Sequence, residues 1–251
     1  MHPFLVAGAI FLCLVAASIG ALLVSKRLPT HYRHDDTHNV VRLAANVFVV
    51  TTSLVLGLLL NSSKNTFESI DRNVHALATD LVVLDRSLRH YGPEASEVRQ
   101  RLAAYVREAI SGTWPEKGSP VLDDRVAERL LEDVGNALMA IRPADSARSE
   151  LWHEAYVNLQ NVIKRRWTLI EGSEGTVPAA FLVMLTAWLV VIFASFGYRA
   201  PQNAVVLTTL VVAAFLSAAS IYLMLDMEDA FSGPIQISPD PLLRAEETLR
   251  R

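Results

Sequence analysis

The sequence predicts an all-α integral membrane protein: four transmembrane helices in two hairpins, with a soluble helical bundle inserted between them. Three observations predict it. Phe4–Val24, Val40–Leu60, Pro178–Phe196 and Ala204–Leu225 are apolar runs of about 19 to 22 residues, the length a helix needs to cross a hydrocarbon core of ~30 Å. The chain is 51% hydrophobic yet 20% charged, and the charges collect between residues 61 and 177. A stripe of apolar residues at heptad spacing follows the second run without a break. Lipid offers backbone groups no hydrogen-bond partner, so each long apolar run is read as a helix. The expected organisation is a first membrane hairpin at 1–60, a soluble helical domain at 61–177, a second hairpin at 178–225 and a tail at 226–251.

The first run is read as a span and not as a cleaved signal peptide. Met1-His2-Pro3 carries no cation, the run exceeds the usual length of a signal core, and Lys26-Arg27 follow as flanking anchors. Cys13, the single cysteine, excludes an intrachain disulfide and is expected to be a buried small apolar residue.

The soluble part reads as four helices. Phe67, Ile70, Val74, Leu77, Leu81, Leu84, Leu88 and Tyr91 alternate at spacings of three and four, so the second span is expected to run on into a helix that Gly92-Pro93 ends. This regular stripe favours a zipper between subunits over a bundle within one. Val98, Leu102, Tyr105 and Ala109 mark the next helix. Val126, Leu130, Val134, Leu138 and Ile141 mark the third, opening at Leu122-Asp123. Trp152, Tyr156, Leu159, Ile163, Trp167 and Ile170 mark the last. Trp167 with Arg165-Arg166 is either an interfacial anchor or a packed ring beside solvated arginines. In the tail, turn formers between Phe231 and Pro241 predict an extended, ordered segment, closed by a short helix at Leu242–Leu249.

A net charge of −3, with no basic block, speaks against nucleic-acid binding. Phosphate-binding, dinucleotide, zinc-protease and nucleophile-elbow signatures are absent from the sequence, so neither an enzyme nor a cofactor is expected.

The second span differs chemically from the others. Arg42, Asn46, Val49, Ser53, Gly57, Leu60 and Lys64 fall on one narrow helical stripe of small or polar residues with a cation at each end. Such a face does not suit lipid. Repeated around an axis it would line a pore whose cations attract anions and whose Val49 and Leu60 gate by dewetting. The alternative is close helix packing through the small residues, with the cations snorkelling to headgroups.

Two places invite a metal. The loop from His31 to His38 crowds imidazoles and carboxylates, although Arg33 sits among them and Asp36 or Thr37 has an ordinary role as the N-cap of the second span. Asp226, Glu228 and Asp229 follow the fourth span, either as a hard-cation site or as a solvated span end.

Three stretches, Thr52–Lys64, Leu84-Asp-Arg-Ser-Leu-Arg-His-Tyr-Gly-Pro-Glu94 and Phe193-Ala-Ser-Phe-Gly-Tyr-Arg-Ala-Pro-Gln-Asn203, together with the tail Met227–Leu243, resemble a bacterial membrane family described as bestrophin-like. The resemblance covers nearly the whole chain. It implies a four-span protomer in the inner membrane with a cytoplasmic helical domain. By analogy with bestrophin chloride channels, it implies a pentamer whose second span lines a path for inorganic anions. Ala230 stands where the family's tail has a proline, and Phe48, the only aromatic in this span, lies off the polar stripe. The competing expectation is a non-conducting membrane scaffold or sensor whose helical domain binds a protein partner.

Overall fold

Helix α1 (Pro3–Arg27) and helix α2 (Asp35–Tyr91) open the chain. A 3-10 turn at Pro93–Ala95 leads to α3 (Ser96–Thr113), α4 (Asp124–Ala140) and α5 (Ser146–Ser173). Then come α6 (Ala179–Arg199), α7 (Ala204–Glu228) and α8 (Asp240–Arg250). The computed structural model describes residues 3–27, 35–114, 124–173, 179–201 and 203–251, and no strand occurs among them. Four of the helices, α1, the first part of α2, α6 and α7, are long and apolar enough to span a bilayer. The protein is therefore an all-α membrane protein.

The chain folds as two compact units. One holds residues 1–66 and 175–228; the other holds 67–174 and 229–251.

In the first unit α1 packs along α6 and α7. Ile10 and Leu14 of α1 meet Leu185, Leu189 and Phe193 of α6, with Ala214 and Ile221 of α7 closing the core. Ser18, at 3% exposure, continues the buried face of α1, and its hydroxyl donates to the Leu14 carbonyl at 3.0 Å. That bond satisfies the hydroxyl without a partner helix. Opposite it α6 carries Gly197, where an added Cβ would lie 2.1 Å from the Ser18 carbonyl oxygen. The two backbones touch here because one residue has no side chain. Cys13 is exposed on α1, not buried as expected: positions 10, 14 and 18 take the packed face, and 13 points elsewhere.

The second unit is built on the heptad stripe. Ile70, Val74, Leu77, Leu81, Leu84, Leu88 and Tyr91 are all buried in one core with α3, α4, α5 and the C-terminal segment, and Phe67 packs against it. The stripe thus closes within one protomer, which corrects the expected zipper between subunits. The faces expected for α4 and α5 meet this core through Val134, Leu138 and Leu159, with Leu130, Ile141, Trp152, Tyr156 and Ile163 packed half-buried against it, and depart from expectation at two positions. In α4, Ala127, Leu131, Val134 and Leu138 are buried while Val126 is exposed. In α5 the buried face is Ala155, Leu159, Val162 and Arg166, and Trp167 is 56% exposed. The arginines are engaged: Arg165 Nε lies 3.1 Å from Asp80, and the Arg166 guanidinium stacks over the Tyr105 ring.

The stretch Leu84–Glu94 forms a corner held by charge. Asp85, 2% exposed as a side chain, accepts from Arg89 Nη2 at 2.6 Å and Arg99 Nε at 2.8 Å. The same arginines donate to the carbonyls of Thr248 and Leu249 in the last turn of α8, the negative end of the helix dipole, and the Thr248 carbonyl also accepts from Arg251 N. Gly92 turns the chain with φ of 116°, a conformation that favours glycine. Past it, Glu94 accepts from Arg148 of α5, whose guanidinium lies over the Tyr91 ring. Its own backbone N–H first, and Arg148 second, hold the Glu94 carboxyl below its ordinary range. The stability it adds is present above the unfolded carboxyl value and is lost as pH falls through the lower folded one.

The tail docks on this unit. Ile237 N donates to the Ala230 carbonyl at 2.8 Å, closing a loop. The Trp114 indole donates to the Ile237 carbonyl at 2.8 Å. Leu242, Ala245 and Leu249 of α8 are buried, and this helix begins two residues before the expected Leu242.

Candidate functional site on the second helix

Helix α2 starts at Asp35, so Asp36 and Thr37 lie inside its first turn and not at the cap. Residues 31–34 and the side chains of 35–42, including His38 and Arg42, fall outside the described residues.

In the membrane unit α2 presents one face inward. Ala45, Thr52 and Ser63 are buried, and Val55, Leu56 and Leu59 pack against the core of α1, α6 and α7. The stripe singled out from the sequence lies about 90° around the helix from this face, at 3.6 residues per turn. Asn46, Ser53, Gly57 and Lys64 are exposed, Leu60 is 38% exposed, and Val49 is half-buried. An added Cβ at Gly57 would meet nothing within 4 Å. Within the protomer, then, the small residues of the stripe are not used for helix packing.

Asn46 stands somewhat apart from the others. It lines a cavity of about 200 Å³ with Ser195, Phe196, Ala200, Val206 and Leu210, at the turn joining α6 and α7. There Asn203 caps α7, its side-chain oxygen accepting from Val206 N at 2.8 Å.

Two residues on the inner face escaped the sequence reading. Thr52 Oγ1 and Ser63 Oγ are buried without a hydrogen-bond partner among the described residues. Each carries the cost of a dry hydroxyl. The signal was available, since both are polar residues within or next to an apolar run. It was masked by the more regular stripe beside it.

Among the described residues no three His, Cys, Asp or Glu side chains converge as a metal site. Asp226 is buried, and the Tyr222 hydroxyl donates to it at 3.3 Å. Asp229 accepts from Ser232 in the tail turn. These two carboxylates of the expected trio have separate structural partners.

The fold is thus that of a helical membrane protein with a polar face left uncovered on one span. A family model, the Bestrophin-like domain, matches residues 12–242; the chain belongs to the bestrophin-like family. Solved structures of a bacterial bestrophin homologue from Klebsiella pneumoniae share its fold. A point variant of that protein has a TM-score of 0.67 at 16% identity, covering 97% of each chain. Another structure of that homologue has a TM-score of 0.64 at 18% identity, covering 96% of each chain. A comparison with curated proteins gives no match.

Proposed function

We propose that this protein is an ion channel: a homo-oligomer, five copies by analogy with bestrophins, that passes small inorganic anions across a bacterial inner membrane. Its axis is lined by Arg42, Asn46, Val49, Ser53, Gly57, Leu60 and Lys64, and it is not an enzyme. The carrying observation is the uncovered stripe on α2. A polar face at membrane depth needs water or protein against it, because lipid satisfies no hydrogen bond. Copies arranged around an axis supply both. In this reading residues 1–60 and 178–225 form the conducting part, and residues 61–177 with the tail 226–251 form a cytoplasmic part.

Conductance tests it. In a Cys13→Ser background, Ser53→Cys reconstituted in planar bilayers reacts with a small hydrophilic thiol reagent, and the current changes on modification. Leu54→Cys, about 100° further around the helix, reacts more slowly. Arg42→Glu moves selectivity from anions toward cations, because a ring of like charges sets which ions gather at a pore mouth. Gly57→Leu leaves the protomer folded but narrows the path. An assembled protein that carries no current and leaves Ser53→Cys unmodified is the scaffold instead.

Topology is checked separately. In the same background, cysteines replacing Glu132 and Asn203 label from opposite sides of the membrane, with position 132 on the cytoplasmic side. Labelling from one side only contradicts four spans.

A further inference from the structure

A groove of about 560 Å³, open along one side, runs between α1, α2 and α6 of the membrane unit. Alanines make room for it: Ala17 and Ala21 of α1, Ala44 and Ala45 of α2, and Ala194 of α6. Phe48 of α2 forms part of the wall and is 39% exposed. Among the described residues that line it, Ser195 and Tyr198 alone carry a polar side-chain atom. The lining runs from Ala17 to Val24 on α1 and ends at Tyr198 on α6. At about 1.5 Å per residue this is a length of about 10 Å, one third of a hydrocarbon core of ~30 Å.

We propose that this groove binds one anionic glycerophospholipid, with the upper part of an acyl chain along the alanines and the phosphate at the level of the helix ends. The groove belongs to a unit of four spans, so the medium around it at this depth is lipid. Its walls gain dispersion contacts only when something apolar fills it, and they offer a free phosphate or a metal ion almost nothing. Charge selects the headgroup. Helix α1 ends in Lys26-Arg27 and α6 in Arg199, one to three residues beyond the lining. These three cations are the only charged residues of the two helices, and all stand at the groove's end of the spans. Cations at that level attract anionic headgroups, and a tyrosine such as Tyr198 suits the same interfacial layer.

Length argues against a span of a second copy as the occupant. A crossing helix needs a partner surface along the whole ~30 Å core, about three times the length of the groove. An acyl chain needs only the third that lies next to its own headgroup. The site stands whether or not α2 conducts. Binding stabilises the packing of α1, α2 and α6 by mass action on the folded state.

The test uses the full chain in mild detergent, followed by native mass spectrometry with added dioleoylphosphatidylglycerol or dioleoylphosphatidylcholine. One retained lipid per chain is expected, with phosphatidylglycerol bound about tenfold more tightly, the scale of one or two cations at a headgroup. Lys26→Gln combined with Arg199→Gln removes most of that preference and leaves a lipid bound. Ala44→Phe, at an exposed position, fills the groove and abolishes retention of both lipids. Leu216→Phe, on the exposed face of α7, leaves retention unchanged. A chain that retains no lipid overturns the site. Equal binding of the two lipids overturns the headgroup assignment. Unchanged retention in Ala44→Phe, or equal loss in Leu216→Phe, overturns the location. If Ala44→Phe lowers the oligomer mass and still retains lipid, a second copy fills the groove and the lipid assignment falls. Should the cation variant fail to accumulate, the comparison of headgroups and Ala44→Phe still decide.

Discussion

Replacing Gly197 by alanine is expected to abolish accumulation of the folded protein. The new methyl would sit 2.1 Å from the Ser18 carbonyl oxygen, and under 3 Å from two further backbone atoms of that residue. A side chain can rotate away from a clash; a helix backbone has to translate. Overpacking in a well-packed core costs about 1–3 kcal/mol, occasionally more, and a backbone-on-backbone clash belongs at or above the top of that range. The shift also pulls Leu14 and Ser18 away from Leu189 and Phe193, which share the core of that unit. Size-exclusion profiles and melting in detergent measure the effect. The matched control is Gly57→Ala, where nothing lies within 4 Å. Both glycines sit inside helices, so alanine gains about 1 kcal/mol of helix propensity at each. Wild-type yield from Gly197→Ala would contradict the close crossing of α1 and α6.

Asp85→Ala is expected to destabilise the second unit by about 3 kcal/mol, the lower end for breaking a buried ion pair. The carboxylate is buried, but Arg89 and Arg99 are 37% and 29% exposed, so water takes back part of their charge. Removing Asp85 has a second effect. Its two arginines also cap the carbonyls of Thr248 and Leu249, and without their anchor α8 loses its fixed end. Limited proteolysis should therefore cut the variant first near the C-terminus, together with a lowered melting temperature. Glu97→Ala is the contrast. It breaks a pair with Arg101 whose partners are 67% and 41% exposed, and the change should stay within about 1 kcal/mol. Equal effects of the two substitutions would show that burial of Asp85 does not matter.

Both residues lie in stretches that carry the family resemblance, and both have structural jobs. Gly197 permits a crossing of two spans. Asp85 and Glu94 tie a helix corner to α8 and α5. Likeness in these stretches thus tracks the fold, and the chemistry proposed for α2 has to be tested on α2.

The class of the fold was legible because it depends on local sequence. Four apolar runs of spanning length leave few other solutions in water or lipid. The stripe from Phe67 to Tyr91 and the Gly92-Pro93 stop gave a continuous α2 and its end. Which face of a helix is buried was readable in the polar insert and harder to read in the spans. In α4 and α5 the expected faces reach the core through Val134, Leu138 and Leu159, and only Val126 and Trp167, near the helix ends, are exposed. Cys13 misled because in a span nearly every residue is apolar, so hydrophobicity no longer marks the inside.

By itself the sequence determined the spans, the helical insert and the polar stripe on the second span, since each follows from composition and period along a single helix. The tertiary structure decided how these are used. It placed the heptad stripe inside one protomer, set Gly197 against Ser18, gathered two arginines on Asp85, and left the stripe from Asn46 to Lys64 uncovered. Those outcomes depend on which distant segments meet, and a contact between helices far apart in the chain leaves no periodic signal in either of them.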